Sequence, residues 1–265
     1  MEWFQALILG IVQGLSEFLP ISSSGHLELG KVILDLDEAA RNNITFTVVV
    51  HGATVLSTIV VFWKDIINLF SGFFKFQWNE SSKYVVKIII SIIPVGIVGL
   101  FFKEQVESFF TGNLLLVGSM LLITTALLAF TYYAKQKEKE ISFKDSFLIG
   151  LAQAFAVMPG ISRSGSTIAI GLLLGNKKEQ IAKFSFLMVL IPIIGANVKD
   201  LIGGEFTNDS SIGVIPLIVG FVSAFVTGWL ACTWMVNIVK RGKLIYFAIY
   251  TFIVAIVAIS VSFMQ

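Results

Sequence analysis

Charge is what this chain has least of. Only 14% of its 265 residues are Asp, Glu, Lys or Arg, against 56% that are hydrophobic, and the mean hydropathy is +0.87. A soluble domain of this length would need far more polar surface to cover its core, so the chain reads as a polytopic membrane protein. The net charge of +2 gives no argument for a nucleic-acid partner. A single cysteine, Cys232, excludes an intramolecular disulfide and a Cys-rich metal centre; lying in an apolar run, it reads as packing. No His/Cys cluster suggests zinc. The N-terminus has neither a basic start nor a small-residue cleavage site, so a cleavable signal peptide is not expected.

What the chain does have is long apolar runs. Five stand out, at about Ile44–Trp63, Tyr84–Phe102, Leu114–Ala134, Ile212–Val239 and Leu244–Phe263. A sixth, about Phe184–Val198, carries Pro192 and extends back over Ile181 and Ala182. Each is long enough to cross a hydrocarbon core of roughly 30 Å as a helix. Two further regions are interrupted. Trp3–Leu19 is broken by "PISSSG", and Phe147–Met158 by "PGISRSG" before an arm at Thr167–Leu174. Arms of roughly 8–12 residues reach halfway across a membrane, so both regions are expected to be re-entrant hairpins.

The expected architecture is an all-α polytopic membrane protein: six transmembrane helices plus two re-entrant helical hairpins, in an inverted-topology repeat. It forms one membrane domain over 1–265, with halves at about 1–135 and 141–265. Three spans per half invert the second half relative to the first. Lys31, Arg41, Lys103 and Lys199 fall on the side of the first hairpin. With these four and Arg163 set aside, the other fourteen of the 19 Lys and Arg fall on the opposite side. The positive-inside rule makes that side cytoplasmic. The first hairpin then dips in from outside, and both termini lie outside. The run "KQKEKE", Lys135–Glu140, reads as a solvated linker between the halves, with a lipid-headgroup site as the alternative.

A shift of 140 residues lays "GIVQGLSEFLPISSSG" on "GLAQAFAVMPGISRSG". Gly10 meets Gly150 and Gln13 meets Gln153; Ile21, Ser22, Ser24 and Gly25 meet Ile161, Ser162, Ser164 and Gly165. The differences are Glu17 against Val157, Ser23 against Arg163 and His26 against Ser166. One loop is thus acidic and nucleophilic, the other cationic. Broken helices in inverted repeats bring their breaks together near the membrane midplane, where sites form.

Each break ends in Ser-x-Ser-Gly, in which serine caps a new helix and glycine lets backbone approach a ligand. Two helix N-termini aimed at one place suit an anion such as phosphate, with Ser22, Ser24, Gly25, Ser162, Ser164 and Gly165 around it. Arg163 adds a cation with the fork geometry for phosphate oxygens; the alternative is a structural ion pair with Glu17. Glu17 shares a helix face with Gln13 and is placed to hold a divalent metal, to take a serine proton, or both. Gln13 either orients water or metal or bonds the loop backbone. Ser23, beside Glu17 and His26, is the candidate nucleophile, and His26 the candidate general acid. His51, in "VVVHGATVLS", either lines the cavity or sits at the interface. A diphosphate carries several negative charges against one certain cation, which calls for Mg2+ or Ca2+ at Glu17, with Gln13 beside it.

"VQGLSEFLPISSSGH" and "PGISRSG" resemble the two signature motifs of the undecaprenyl-diphosphate phosphatase family, also called bacitracin-resistance proteins. The first motif reads Gln13, Glu17, Pro20, Ser22, Ser23, Gly25 and His26, with Gln13 at a Glu-or-Gln position; the second reads Pro159, Gly160, Ser162, Arg163, Ser164 and Gly165. The resemblance covers the whole chain. It implies hydrolysis of the lipid substrate undecaprenyl diphosphate to the monophosphate and inorganic phosphate in the bacterial plasma membrane, with bacitracin resistance as a consequence. It also implies Glu17 as metal ligand or base, Ser23 as nucleophile, His26 as acid and Arg163 as phosphate clamp. A homodimer is compatible with the sequence. The rival class is a lipid-phosphate transporter or flippase, which shares this architecture but needs no nucleophile paired with an acid.

Overall fold

The structure, a computed structural model, describes residues 1–37, 44–109, 113–134, 137–202 and 212–263. Arg41 and Lys135, counted above, lie outside the described residues. Those described are helical throughout apart from turns and an isolated bridge between Lys139 and Asn176.

The first hairpin is α1 (Trp3–Phe18) and α2 (Ser23–Ile33). Three helical stretches follow: α3 (Ile44–Val61) with α4 (Trp63–Phe73), then α5 (Glu80–Phe101) with a short α6 (Lys103–Glu107), then α7 (Leu114–Phe130). The second hairpin is α8 (Phe143–Phe155) and α9 (Arg163–Leu173), and the chain closes with α10 (Lys178–Ile202), α11 (Val214–Arg241) and α12 (Ile245–Ser262). Among the described residues, Glu80–Phe101, Leu114–Tyr133, Lys178–Val198, Val214–Arg241 and Ile245–Ser262 are long and apolar enough to cross a membrane. The pair α3 and α4 passes the same test only when taken together, across a bend of 74°, which gives up to six. The protein is therefore an all-α multi-pass membrane protein.

Three expectations about element lengths are corrected. The first span ends at Val61 rather than Trp63, and Trp63–Phe73 turns off it as a separate helix with no buried residue. Nothing in the composition marks that break, because Phe62, at φ −102°, ψ 18°, is as apolar as its neighbours. The first arm of the first hairpin has 16 residues, about 24 Å rather than half a membrane. Reciprocal hydrogen bonds between Glu2 and Gln5 start it early, and nothing breaks it before Pro20. The last arm begins at Arg163 rather than Thr167, because the Ser162 side chain accepts from the Gly165 N–H and caps the helix there.

The packing is reciprocal between the halves. Arm α1 lies along α11, the middle span of the second half, and arm α8 lies along α5, the middle span of the first. The last spans, α7 and α12, pack on each other, tied by a 2.8 Å hydrogen bond between Thr125 and Thr251. Small residues make the close approaches possible. A Cβ added at Gly10 would lie 2.6 Å from the Gly220 carbonyl oxygen, and one at Gly150 would lie 2.3 Å from that of Ser91. Outside the helices, Lys177 and Gln180 donate to Glu140 and fasten the linker to the start of α10. Those two hydrogen bonds hold the Glu140 carboxyl below its ordinary range.

Candidate active site

The two helix breaks meet tip to tip. In the first, Ser22 takes φ 71°, a left-handed backbone that a serine adopts at a cost, and its Oγ accepts from the Gly25 N–H at 3.3 Å to start α2. In the second, Gly160 has φ 96° and lies against α7, where a Cβ would come 2.4 Å from the Val117 carbonyl oxygen; only glycine fits. Thr124 of α7 holds that loop from both sides. Its hydroxyl donates to the Gly160 carbonyl at 3.2 Å and accepts from the Ser162 N–H at 2.9 Å. The tips are joined by Ser164, whose Oγ donates to the Leu19 carbonyl at 3.1 Å.

Glu17 is the hub of the site. Arg163 donates from Nη2 to its Oε1. Ser23 Oγ donates to Oε2 at 2.8 Å, and Gln13 Nε2 donates to the same oxygen at 3.0 Å. His51 Nε2 stands 3.8 Å from Oε2, with Nδ1 turned to the Thr47 carbonyl at 2.8 Å. The Glu17 side chain is 7% exposed and that of Arg163 29%, so the pair is shielded but reachable from the Arg163 side. Thr54, Thr58, Ser164 and Ser185 line the cleft beside it, with Val189 and Ile193 closing the far wall. That cleft encloses about 20 Å³, room for roughly one water.

The other expected residues are distributed as follows. Ser22 and Ser162 are buried caps, Ser24 lies 3.3 Å from Ser22, and Ser164 links the hairpins. Gly25 and Gly165 face the opposite tip: their added Cβ atoms would lie 3.5 Å from Gly160 Cα and 3.2 Å from Pro20 Cβ. His26 is turned away from Glu17. Its Nδ1 is 2.8 Å from the Ser22 carbonyl and its Nε2 2.9 Å from the Tyr250 hydroxyl, with the two rings stacked at 5.6 Å. A carbonyl only accepts, so Nδ1 carries a proton and Nε2 accepts from Tyr250. His51, whose role the sequence leaves open, stands beside Glu17, and Thr54 and Thr58, which the sequence does not single out, join the cleft. Their spacing of three and four is a polar stripe on an apolar span, which was the available signal.

No three His, Cys, Asp or Glu side chains converge on a metal site among the described residues. Glu17 and the Oε1 of Gln13, buried without a hydrogen-bond partner, are nevertheless two oxygen donors side by side. They fit a hard cation that completes its shell with phosphate and water.

Comparison with known proteins shows the family. The family described as "Bacitracin resistance protein BacA" matches residues 6–257. An undecaprenyl-diphosphatase of Bacteroides fragilis is 58% identical over 269 residues, covering the whole of both chains. Those of Parabacteroides distasonis and Christiangramia forsetii are 58% and 52% identical, again over both full lengths. With the family match spanning nearly the whole chain and relatives aligned end to end, this chain belongs to the bacitracin resistance protein family.

Proposed function

We propose that this protein hydrolyses undecaprenyl diphosphate to undecaprenyl phosphate and inorganic phosphate, recycling the lipid carrier of peptidoglycan synthesis and so conferring bacitracin resistance. The observation that carries the reading is the contact of Ser23 and Arg163 with one carboxylate, Glu17, across two helix breaks. The relatives' shared name, undecaprenyl-diphosphatase, supplies the substrate. The protein sits in the bacterial plasma membrane with the first hairpin entering from the outer face and both termini outside, supported by the lysine asymmetry.

In the resting cleft Arg163 and Glu17 occupy each other. The terminal phosphate enters by taking the place of Glu17 at the guanidinium, which offers parallel N–H donors to two phosphate oxygens. Glu17 is then free to receive the Ser23 proton along the 2.8 Å hydrogen bond already formed. Ser23 Oγ attacks the terminal phosphorus, the bond to the bridging oxygen breaks, and undecaprenyl phosphate leaves. Water then attacks the phosphoserine; the Oγ–P bond breaks, Glu17 returns its proton to Ser23 Oγ, and the inorganic phosphate leaves carrying both of the water's protons. His26 is the acid for the leaving phosphate. Its Nδ1–H is committed to Ser22 and its Nε2 accepts from Tyr250, so His26 must first bind a proton at Nε2, displacing Tyr250, before it gives that proton to the leaving phosphate. A Mg2+ or Ca2+ ion held by Glu17 and Gln13 would neutralise charge on the diphosphate oxygens.

Phosphate release from the C55 diphosphate by purified protein in detergent tests the reading, because no gradient exists there to drive transport. Release is expected with Mg2+ or Ca2+ and to stop with a chelator. It should fall by about a thousandfold or more in Glu17→Ala. A wild-type protein that binds the lipid yet releases no phosphate is a transporter instead. Ser23→Ala is expected to cost about as much as Glu17→Ala, because the two act as one unit, and to abolish a trappable phosphoserine. Near-normal hydrolysis by Ser23→Ala would assign the attack to water.

A further inference from the structure

A groove of about 600 Å³ lies behind the first hairpin, on the side of α1 away from Glu17. Its position follows from how α1 and α11 pair. Gly10 meets α11 at Gly220, Gly14 meets it at Ala224 to Gly228, and Phe18 touches Gly228. The two helices therefore run in the same direction, and α11 continues for about three more turns past the tip of the hairpin. The groove runs along Val12, Leu15 and Ser16 of α1 and past the tip into the space beneath it. Leu19 and Ile21 line it at the tip, with the His26–Tyr250 pair beside them. Trp234 and Ile238 of α11 and Tyr246 of α12 wall it, and Trp234 and Tyr246 are exposed along its side. At its far end stand Arg241 and Lys243.

A re-entrant hairpin stops short of the far face and leaves space below its tip to be filled, and the walls here decide by what. They are apolar and aromatic, the volume is that of a small-molecule site, and no acidic residue lines it. Lys240 is taken up by Glu179 at 3.4 Å, but among the described residues neither Arg241 nor Lys243 has an ion-pair partner. Two unpaired cations at the mouth of an apolar slot are complementary to a phosphate on an acyl chain.

We propose that the groove is a binding site for an anionic phospholipid of the cytoplasmic leaflet, its acyl chain beneath Leu19 and Ile21 and its phosphate on Arg241 and Lys243. The site lies across the membrane from the face at which the diphosphate enters, and this placement rests on the orientation given under Proposed function. The chain end touches Leu19 and Ile21, which immediately precede Ser22 and Ser23. Occupancy thus props the loop that carries the nucleophile, from the leaflet in which no chemistry occurs.

Trp234 makes the site readable without any hydrolysis. The full-length protein is reconstituted in phosphatidylcholine vesicles carrying a minor fraction of either brominated-chain phosphatidylglycerol or brominated-chain phosphatidylcholine. The difference between wild type and Trp234→Phe isolates quenching in the groove from that of the other tryptophans. The Trp234 component is expected to be quenched several-fold more strongly by the brominated phosphatidylglycerol. That preference should vanish in Arg241→Gln/Lys243→Gln. Equal quenching by the two lipids, or a preference that survives in the double variant, overturns the proposal. Displacement of the brominated lipid by farnesyl diphosphate also overturns it, because the groove would then hold the substrate's isoprenoid tail. A protein that shows the preference but releases no phosphate would refute the phosphatase reading and leave this site standing.

Discussion

Replacing Arg163 by alanine is expected to lower phosphate release by at least about a thousandfold while the protein remains folded in detergent. The loss follows from position. Arg163 is the first residue of α9, so its guanidinium and the free N–H groups of that helix end address the same anion. Retention of the fold follows from how the loop is held. Its hydrogen bonds are made by Thr124, Ser162 and Ser164, not by the arginine. The Glu17 carboxylate left behind keeps two donors, Ser23 and Gln13. Arg163→Lys should recover part of the rate, since it restores the charge but not the two-pronged geometry. The measurement is phosphate release at saturating substrate, with thermal aggregation in detergent as the folding control. A folded Arg163→Ala protein within tenfold of the wild-type rate would reduce the arginine to a structural partner of Glu17.

The parts of the site that could be read from the sequence are those where polarity contradicts its surroundings. Glu17, the three serines and Arg163 stand out because an ionised or hydroxylic group in an apolar run is costly without a purpose. The helix starts were legible too, since Ser-x-Ser-Gly carries its own capping geometry. The turn of α4 away from α3 was not, because Phe62 breaks the helix by its dihedral angles alone, without a proline or glycine to announce it. The direction of His26 was equally hidden. Three residues past Ser23 on one helix, it invites grouping with it, but a tyrosine 224 residues away takes its outer nitrogen. Such a contact depends on α12 packing against α7 beside the hairpin, and no local pattern encodes it. His51 lies between these cases. The stripe it forms with Thr54 and Thr58 is visible, but its distance to Glu17 is not.

Gly14→Ala is expected to cost about a hundredfold in kcat and to lower thermal stability, although the added methyl touches neither substrate nor catalytic group. Gly14 faces α11 where the two backbones nearly meet. A Cβ there would lie 2.1 Å from Thr227 Oγ1, 2.5 Å from the Ala224 carbonyl oxygen and 2.7 Å from the Gly228 nitrogen. The threonine can rotate, but the two backbone atoms cannot. Ordinary contact begins near 3.4 Å, so α1 must move off α11 by about 1 Å. Gln13 and Glu17 ride on that helix, one residue before and three after, while Arg163 is anchored separately by α7. The displacement therefore opens the gap between the carboxylate and the two groups that it must serve. α11 cannot follow, because Gly220 and Gly228 already press it against Phe46 and Ser57 of α3. Gly96→Ala is the control: nothing lies within 4 Å of an added Cβ there, so rate and stability should stay at wild-type values. Equal behaviour of the two alanine variants would mean that the hairpin is seated loosely on α11. It would also mean that the geometry around Glu17 is set by the loops alone.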